Sequence, residues 1–287
     1  MAVTTLALDR ISLTSANADA LALFYENGLG FVQTARSRVD ATLYGLSGGE
    51  ALVVTLALGE QLIELVQFDQ AGAAYPQART SYDPWFQHIA IVVSDIHAAY
   101  QLLQQRTTPI PISLQGPVTL PASSGGVTAI KLRDPELHPF ELLQFPAGAM
   151  PAYWSGRVPQ SGFSLGIDHS ALVVSNTVAS VAFYAGLGLS VTSGSLNQGP
   201  EQASLDAASG AVVQVTGLSP PQATPHVELL CYSAPVAAPA IAIAANDIAA
   251  TRLMIRSGNE PAADGLLLDP DGHRLVLVAM RGWEQRR

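Results

Sequence analysis

The sequence predicts an α+β fold assembled from four copies of one small βαβββ module. Two observations predict it: a long internal repeat, and a grammar of strand, capped helix and turn-punctuated strands shared by every copy. Leu8-Asp9-Arg10-Ile11-Ser12-Leu13, followed by Leu23-Phe24-Tyr25-Glu26-Asn27-Gly28-Leu29-Gly30, matches a later stretch at an offset of 159 residues. That stretch is Ile167-Asp168-His169-Ser170-Ala171-Leu172, followed by Ala182-Phe183-Tyr184-Ala185-Gly186-Leu187-Gly188. A second pair matches Ile89-Ala90-Ile91-Val92-Val93-Ser94-Asp95-Ile96 with Ile241-Ala242-Ile243-Ala244-Ala245-Asn246-Asp247-Ile248. Each member of that pair leads to an Asp-Pro turn and a last strand, at Arg133-Asp134-Pro135 and Leu268-Asp269-Pro270. The second half of the chain repeats the first.

Within each module an apolar run reads as the first strand, and a polar cap such as Asn17 or Asp95 starts the helix. Leu21, Phe24 and Tyr25 stand at i, i+3, i+4, and Ile96, Tyr100 and Leu103 at i, i+4, i+7, so each helix has one apolar face to lay on a sheet. Strands separated by Gly, Pro and Ser turns complete the module. Boundaries fall in the turn-rich stretches 69–83, 145–166 and 233–239. The expected organisation is a half at 1–146 with modules at about 4–70 and 84–146, a linker at 147–166, and a half at 167–287 with modules at about 167–233 and 239–280.

Composition limits the partners. A net charge of −9 and a single lysine, Lys131, leave no basic stripe to neutralise a phosphate backbone, so nucleic acid is not expected. No apolar run approaches the roughly 20 residues that span a bilayer. The N-terminal residues lack the charged and apolar regions of a signal peptide. One cysteine, Cys231, forms no intramolecular disulfide. The expectation is a soluble, cytoplasmic protein acting on a small molecule, with a homodimer left open.

The recurring strand, helix, Phe-Tyr-x-x-Leu-Gly and late strand carrying a Glu resemble the vicinal oxygen chelate superfamily of glyoxalases, bleomycin resistance proteins and extradiol dioxygenases. The resemblance covers nearly the whole chain. It implies that modules pair into two cupped mixed β-sheets with flanking helices, and that a divalent metal sits in a cup on side chains from first and last strands. At the first-strand positions stand Arg10, His88, His169 and Ala240; at the last-strand positions stand Glu64, Glu141, Glu228 and Val276. Module four lacks both ligands, and module one places an arginine, which has no lone pair to donate, beside its Glu. Only modules two and three are complete.

Strand periodicity agrees, because residues at i and i±2 share a face: His88 with Ala90 and Val92, His169 with Ala171 and Val173, Glu64 with Leu62 and Val66. A carboxylate on an apolar face is costly unless paired, protonated or metal-bound. For Glu64 the expected partner is Arg10. Pairing module two with three and one with four gives one metal site of His88, Glu141, His169 and Glu228, and a second cup holding Arg10 and Glu64. Consecutive pairing would split the quartet, and a linker of about twenty residues, spanning on the order of 60 Å, permits either.

Two imidazoles and two carboxylates suit nickel, zinc, iron, cobalt or manganese. The resemblance to glyoxalase I implies isomerase or lyase chemistry on a small oxygenated substrate, with Glu141 or Glu228 as base. An extradiol dioxygenase and a non-catalytic small-molecule binder of the bleomycin resistance type are the alternatives. Among the other histidines only His226, on the face of Glu228, is placed to join the cup. His97 begins a helix, and His138 and His273 are expected as turn or surface residues. Lys131 and Arg133 receive no role, and Tyr82, Trp85 and Phe86 are expected to pack a linker on a sheet.

Overall fold

The computed structural model describes residues 5–159, 162–222, 225–237, 239–257 and 265–279. Module one contains β1 (Thr5–Thr14), α1 (Ala18–Leu29), β2 (Val32–Asp40), β3 (Glu50–Leu58) and β4 (Gln61–Phe68). Module two contains β5 (Gln87–Val93), α2 (Ile96–Arg106), β6 (Ile110–Pro111), β7 (Val118–Thr119), β8 (Thr128–Arg133) and β9 (Pro139–Gln144). Module three contains β10 (Ser164–Val173), α3 (Thr177–Gly186), β11 (Ser190–Gln198), α4 (Pro200–Asp206), β12 (Val212–Ser219) and β13 (His226–Ala234). Module four contributes β14 (Thr251–Ser257), β15 (Leu266–Leu268) and β16 (Arg274–Ala279). Helix starts follow the predicted caps: Asn17 and Asp95 accept from the amides of Ala20 and Ala98, and Asn176 does the same for Ala179. The short α4 is an element the sequence pattern does not announce.

The strands form two mixed sheets. One runs β15-β16-β14-β1-β4-β3-β2 and joins modules one and four; the other runs β11-β12-β13-β10-β5-β9-β8-β6 and joins modules three and two. At each join the first strands of two modules pair antiparallel, β1 with β14 and β5 with β10. Each sheet therefore takes one module from each half of the sequence. One face of each sheet packs with α1, α2 and α3 into a common core that includes Leu8, Ile63, Ile91, Phe140, Leu172 and Leu253.

Module four departs from the repeat read in the sequence. Ile241–Ile248 is not its first strand, and Ala240 is not a first-strand position; β14 begins at Thr251. Asp247 organises the stretch instead, accepting from the amides of Ala244 and Ala73 at 2.7 Å each, while Ile243 and Ile248 pack near Tyr75 and Trp85. The β-forming run is Thr251-Arg252-Leu253-Met254-Ile255. By register Arg252 opposes Ser12 as His88 opposes Ala171, so Arg252 is the counterpart of His88. Val276 opposes Met254 as Glu141 opposes Ala90, so the last-strand position is as predicted.

The Phe-Tyr and Asp-Pro motifs lock consecutive modules together. Tyr25 Oη donates to Asp134 Oδ2 at 3.0 Å, and the same oxygen lies 2.8 Å from His138 Nδ1. His138 Nε2 faces the carbonyls of Thr14 and Ile248 at 2.9 and 3.1 Å. Glu136 receives Ser15 Oγ and the amides of Ala16 and Asn17 at the start of α1. The later half repeats the device: Tyr184 Oη donates to Asp269, His273 Nε2 to the Val173 carbonyl, and the Ser175 amide to Asp271. His138 and His273 are thus buried linchpins rather than surface residues.

Acceptors at both ring nitrogens of His138 call for the doubly protonated imidazolium. Burial opposes that charge, but Asp134 prevails and holds the pKa above its ordinary 6.5. A raised histidine contributes stability that is complete below pH 6.5 and is lost as pH rises through the folded value. Urea unfolding should therefore show a stability loss on the alkaline side that His138→Gln removes, and Tyr25→Phe should cost about 1–2 kcal/mol at every pH by leaving a buried carboxylate short of a donor.

Candidate metal centre

Four adjacent strands, in the order β13, β10, β5, β9, carry Glu228, His169, His88 and Glu141. Registers put all four on one face. His88 opposes Ala171 on β10, Glu228 stands beside the same Ala171, and Glu141 stands beside Ala90 two residues along from His88. The structure brings every residue of the predicted quartet into this cup. His88, His169 and Glu141 are buried, while the Glu228 side chain keeps 22% of its exposure and marks the open side. His169 Nε2 is 3.4 Å from Glu228 Oε2, the His88 and His169 ring centroids are 5.8 Å apart, and His88 Nε2 is 3.2 Å from Glu141 Oε2.

A β-bulge shapes the site. The register of β10 on β5 shifts between Ile167 and His169, which breaks strict alternation. Asp168 Oδ2 then reaches His169 Nδ1 at 3.0 Å. Trp154, from the connector, donates its indole Nε1–H to Asp168 Oδ1 at 2.9 Å, and both are buried. Gly166, at φ +152°, lets the indole lie on β10, since a Cβ there would come within 2.8 Å of the ring. His226 stands beside His169 in the β10–β13 register, with Nε2 3.6 Å from Glu228 Oε1. Neither Trp154 nor Asp168 was signalled as functional by sequence; the Asp9-Arg10 and Asp168-His169 repeat was visible, but the bulge that gives it meaning was not.

Electrostatics divide the two central histidines. Burial disfavours the charged form of both. At His169, Glu228 and Asp168 outweigh it and raise the imidazole to about 9. At His88 burial dominates and holds the pKa below the ordinary value. Glu228, against the penalty of burial, is held down to about 2 by His169, His226 and His88.

The donor set fits a divalent transition metal. Both nitrogens of His88 are buried without a hydrogen bond. The 3.2 Å approach of Nε2 to Glu141 lacks hydrogen-bond alignment. A buried neutral imidazole with an unshared lone pair opposite carboxylates has the chemistry that metal ligation needs.

The rest of the cup is partly apolar. Phe86, Ala171, Val173, Val213 and Leu230 pack together, so Phe86 lines the cup, whereas Trp85 packs on Tyr75. Lys131, given no role by the sequence, lies on β8 buried beside Glu141 and pairs with Asp206 at the end of α4 at 2.6 Å. Tyr232 Oη and Gln202 Nε2 also donate to Asp206. Arg133 is buried too and donates to the Leu137 carbonyl.

Among the described residues the other cup has no comparable donor set. Arg10 Nε donates to Glu64 Oε2 at 2.5 Å, Tyr44 Oη donates to Glu64 Oε1 at 3.0 Å, and Arg10 also pairs with Asp9. Arg252, fully buried, spans to Thr14 Oγ1 and the Ala250 and Ala245 carbonyls, with its guanidinium over the Tyr44 ring. Ala41, Tyr44, Val53, Phe68 and Val276 fill the remaining space.

Residues 7–142 match the model of the Glyoxalase/Bleomycin resistance protein/Dioxygenase superfamily. This part of the chain belongs to that superfamily. The fold extends the likeness to the whole chain: glyoxalase I from Zea mays superposes with a TM-score of 0.63 at 15% identity, over 99% of this chain and 94% of that one. A putative dioxygenase from Bacillus subtilis superposes with a TM-score of 0.58 at 10% identity, over 96% of this chain and 86% of that one. Among curated proteins none matches the chain by sequence. Both likenesses are of fold alone. No helix among the described residues is long and apolar enough to cross a membrane.

The two cups respond differently to loss of their glutamates. Glu64→Ala leaves Arg10 and Tyr44 without their carboxylate and should destabilise the fold by about 3 kcal/mol in urea unfolding, the cost of breaking a buried ion pair.

Proposed function

We propose that this protein is a divalent-metal-dependent enzyme of the vicinal oxygen chelate type, with glyoxalase I-like isomerase or lyase chemistry on a small oxygenated substrate. The observation that carries the reading is the palindromic Glu228-His169-His88-Glu141 row across four adjacent strands, with His88 buried, free of hydrogen bonds and facing Glu141 at 3.2 Å. His88, Glu141, His169 and Glu228 would hold nickel, zinc, iron, cobalt or manganese. When bound, such an ion supplies Lewis acidity toward adjacent oxygens of a substrate.

The remaining work falls to the protein. Asp168 fixes His169 with Nδ1 protonated and Nε2 turned to the cup, and Trp154 fixes Asp168. Glu141 and Glu228 enter from the two flanking strands, β9 and β13. A carboxylate oxygen of one takes a proton from a hydroxyl-bearing carbon beside a carbonyl and returns it to the carbonyl carbon, while the hydroxyl proton passes to the former carbonyl oxygen, which isomerises the substrate without a redox cofactor. Phe86, Val213 and Leu230 exclude water from this transfer.

Elemental analysis of purified protein, before and after chelation and reloading, tests the reading. Near-stoichiometric first-row metal is expected. Glu141→Ala or Glu228→Ala should lose it without unfolding, and Glu64→Ala should retain it. Conversion of hemithioacetals by the loaded protein is the accompanying assay. Reproducible absence of metal after reloading would contradict the reading and leave a small-molecule binding protein.

A further inference from the structure

Two imidazoles in the cup share one orientation, and only one of them belongs to the quartet. Asp168 Oδ2 lies 3.0 Å from His169 Nδ1 and 3.9 Å from His226 Nδ1. On the opposite side, His169 Nε2 lies 3.4 Å from Glu228 Oε2, and His226 Nε2 lies 3.6 Å from Glu228 Oε1. One carboxylate therefore faces both Nδ1 atoms while the other faces both Nε2 atoms. The ring centroids are 5.2 Å apart. One ligating atom each from Asp168, His169 and His226 falls within 4.8 Å of the others.

The backbone explains the convergence. His169 and His226 are direct neighbours in the parallel β10–β13 pair, and His226 and Glu228 are at i and i+2 on one strand, so all three project from one face. The register shift at Ile167 to His169 brings Asp168 round to the Nδ1 side of both rings. Trp154, bonded to the other oxygen of Asp168, holds it there.

From this geometry we infer that His226 is a further metal ligand, binding through Nε2, and that Asp168, positioned by Trp154, orients His226 and His169 as a pair. The inference rests on the metal-centre reading above and extends its donor set beyond the quartet. An ion between these Nε2 atoms and Glu228 would be held by two imidazoles and a carboxylate from module three alone, with His88 and Glu141 supplied by module two. A salt bridge between a protonated His226 and Glu228 is the competing role, in which His226 touches no metal.

Cobalt(II) substitution of the whole protein separates them. In the proton NMR spectrum each ligating imidazole contributes one hyperfine-shifted, solvent-exchangeable N–H. The inference expects three such signals in the wild type, from His88, His169 and His226, and loss of one in His226→Gln with a changed visible spectrum. Cobalt affinity measured by titration calorimetry should fall at least about 10–100-fold in His226→Gln, and about 10-fold in Trp154→Phe with all three signals kept, the size seen when an outer partner is lost. Thermal unfolding confirms that each variant is folded, and the wild-type signal count needs no variant at all. Two signals in the wild type, with affinity and spectrum unchanged in His226→Gln, would overturn the inference. If His226→Gln binds like wild type while His88→Ala loses cobalt, the metal-centre reading survives without it. Failure of the wild type to take up cobalt overturns both.

Discussion

The antiparallel pairing of β5 with β10 is the interaction on which the candidate site depends. It sets the first strand of module two against the first strand of module three, in a register that places Ala171 opposite His88. β9 and β13 then add in parallel on the outer sides, each carrying its glutamate to the same face. No residue of the quartet comes from a loop. Strands give each donor a fixed direction, and the buried, paired surroundings of β5 and β10 make that direction costly to change. The equivalent pairing of β1 with β14 uses the same backbone for the opposite purpose. There Arg10 and Tyr44 satisfy Glu64, carbonyls cap Arg252, and apolar side chains fill the space. The same architecture thus holds a set of lone-pair donors in one cup and a set of cations neutralised or capped by carbonyls in the other.

The sheets cross the halves of the sequence, and the clamps run along it. Tyr25 with Asp134 and His138 ties module one to two, and Tyr184 with Asp269 and His273 ties three to four. Each module is therefore held by hydrogen-bonded strands to a partner from the other half and by buried polar groups to its neighbour in sequence. The connector adds a further tie: Trp154 reaches Asp168 in one sheet, while Tyr153 meets Gln61 of the other at 2.6 Å.

Much of this was legible in the sequence. The 159-residue repeat gave the modules, the capped amphipathic patterns gave α1 and α2, and a glutamate on an apolar strand face required a partner. Arg10 and Glu64 met as their charges demanded. The failures have specific physical causes. Ile241–Ile248 imitates Ile89–Ile96 residue for residue in apolar pattern, yet Asp247 turns its backbone, and periodicity alone does not distinguish an apolar loop from a strand. Arg252 hid because a buried arginine reads as a surface charge until carbonyls are found around it. Asp168 hid for a different reason: alternation assigns it to the face opposite His169, and only the bulge brings the two side chains together. Lys131 became a buried partner of Asp206 through α4, a helix too short to show a period.

The central claim is that the metal centre lies between modules two and three, across the two halves of the chain. A crystal structure of the metal-loaded protein, with the ion located by anomalous scattering at its absorption edge, tests this most directly. The account predicts a single peak in the cup of β5 and β10, about 2.0–2.2 Å from nitrogens of His88 and His169 and oxygens of Glu141 and Glu228. A peak in the cup of Arg10 and Glu64, or loaded crystals with no peak at either cup, would contradict it.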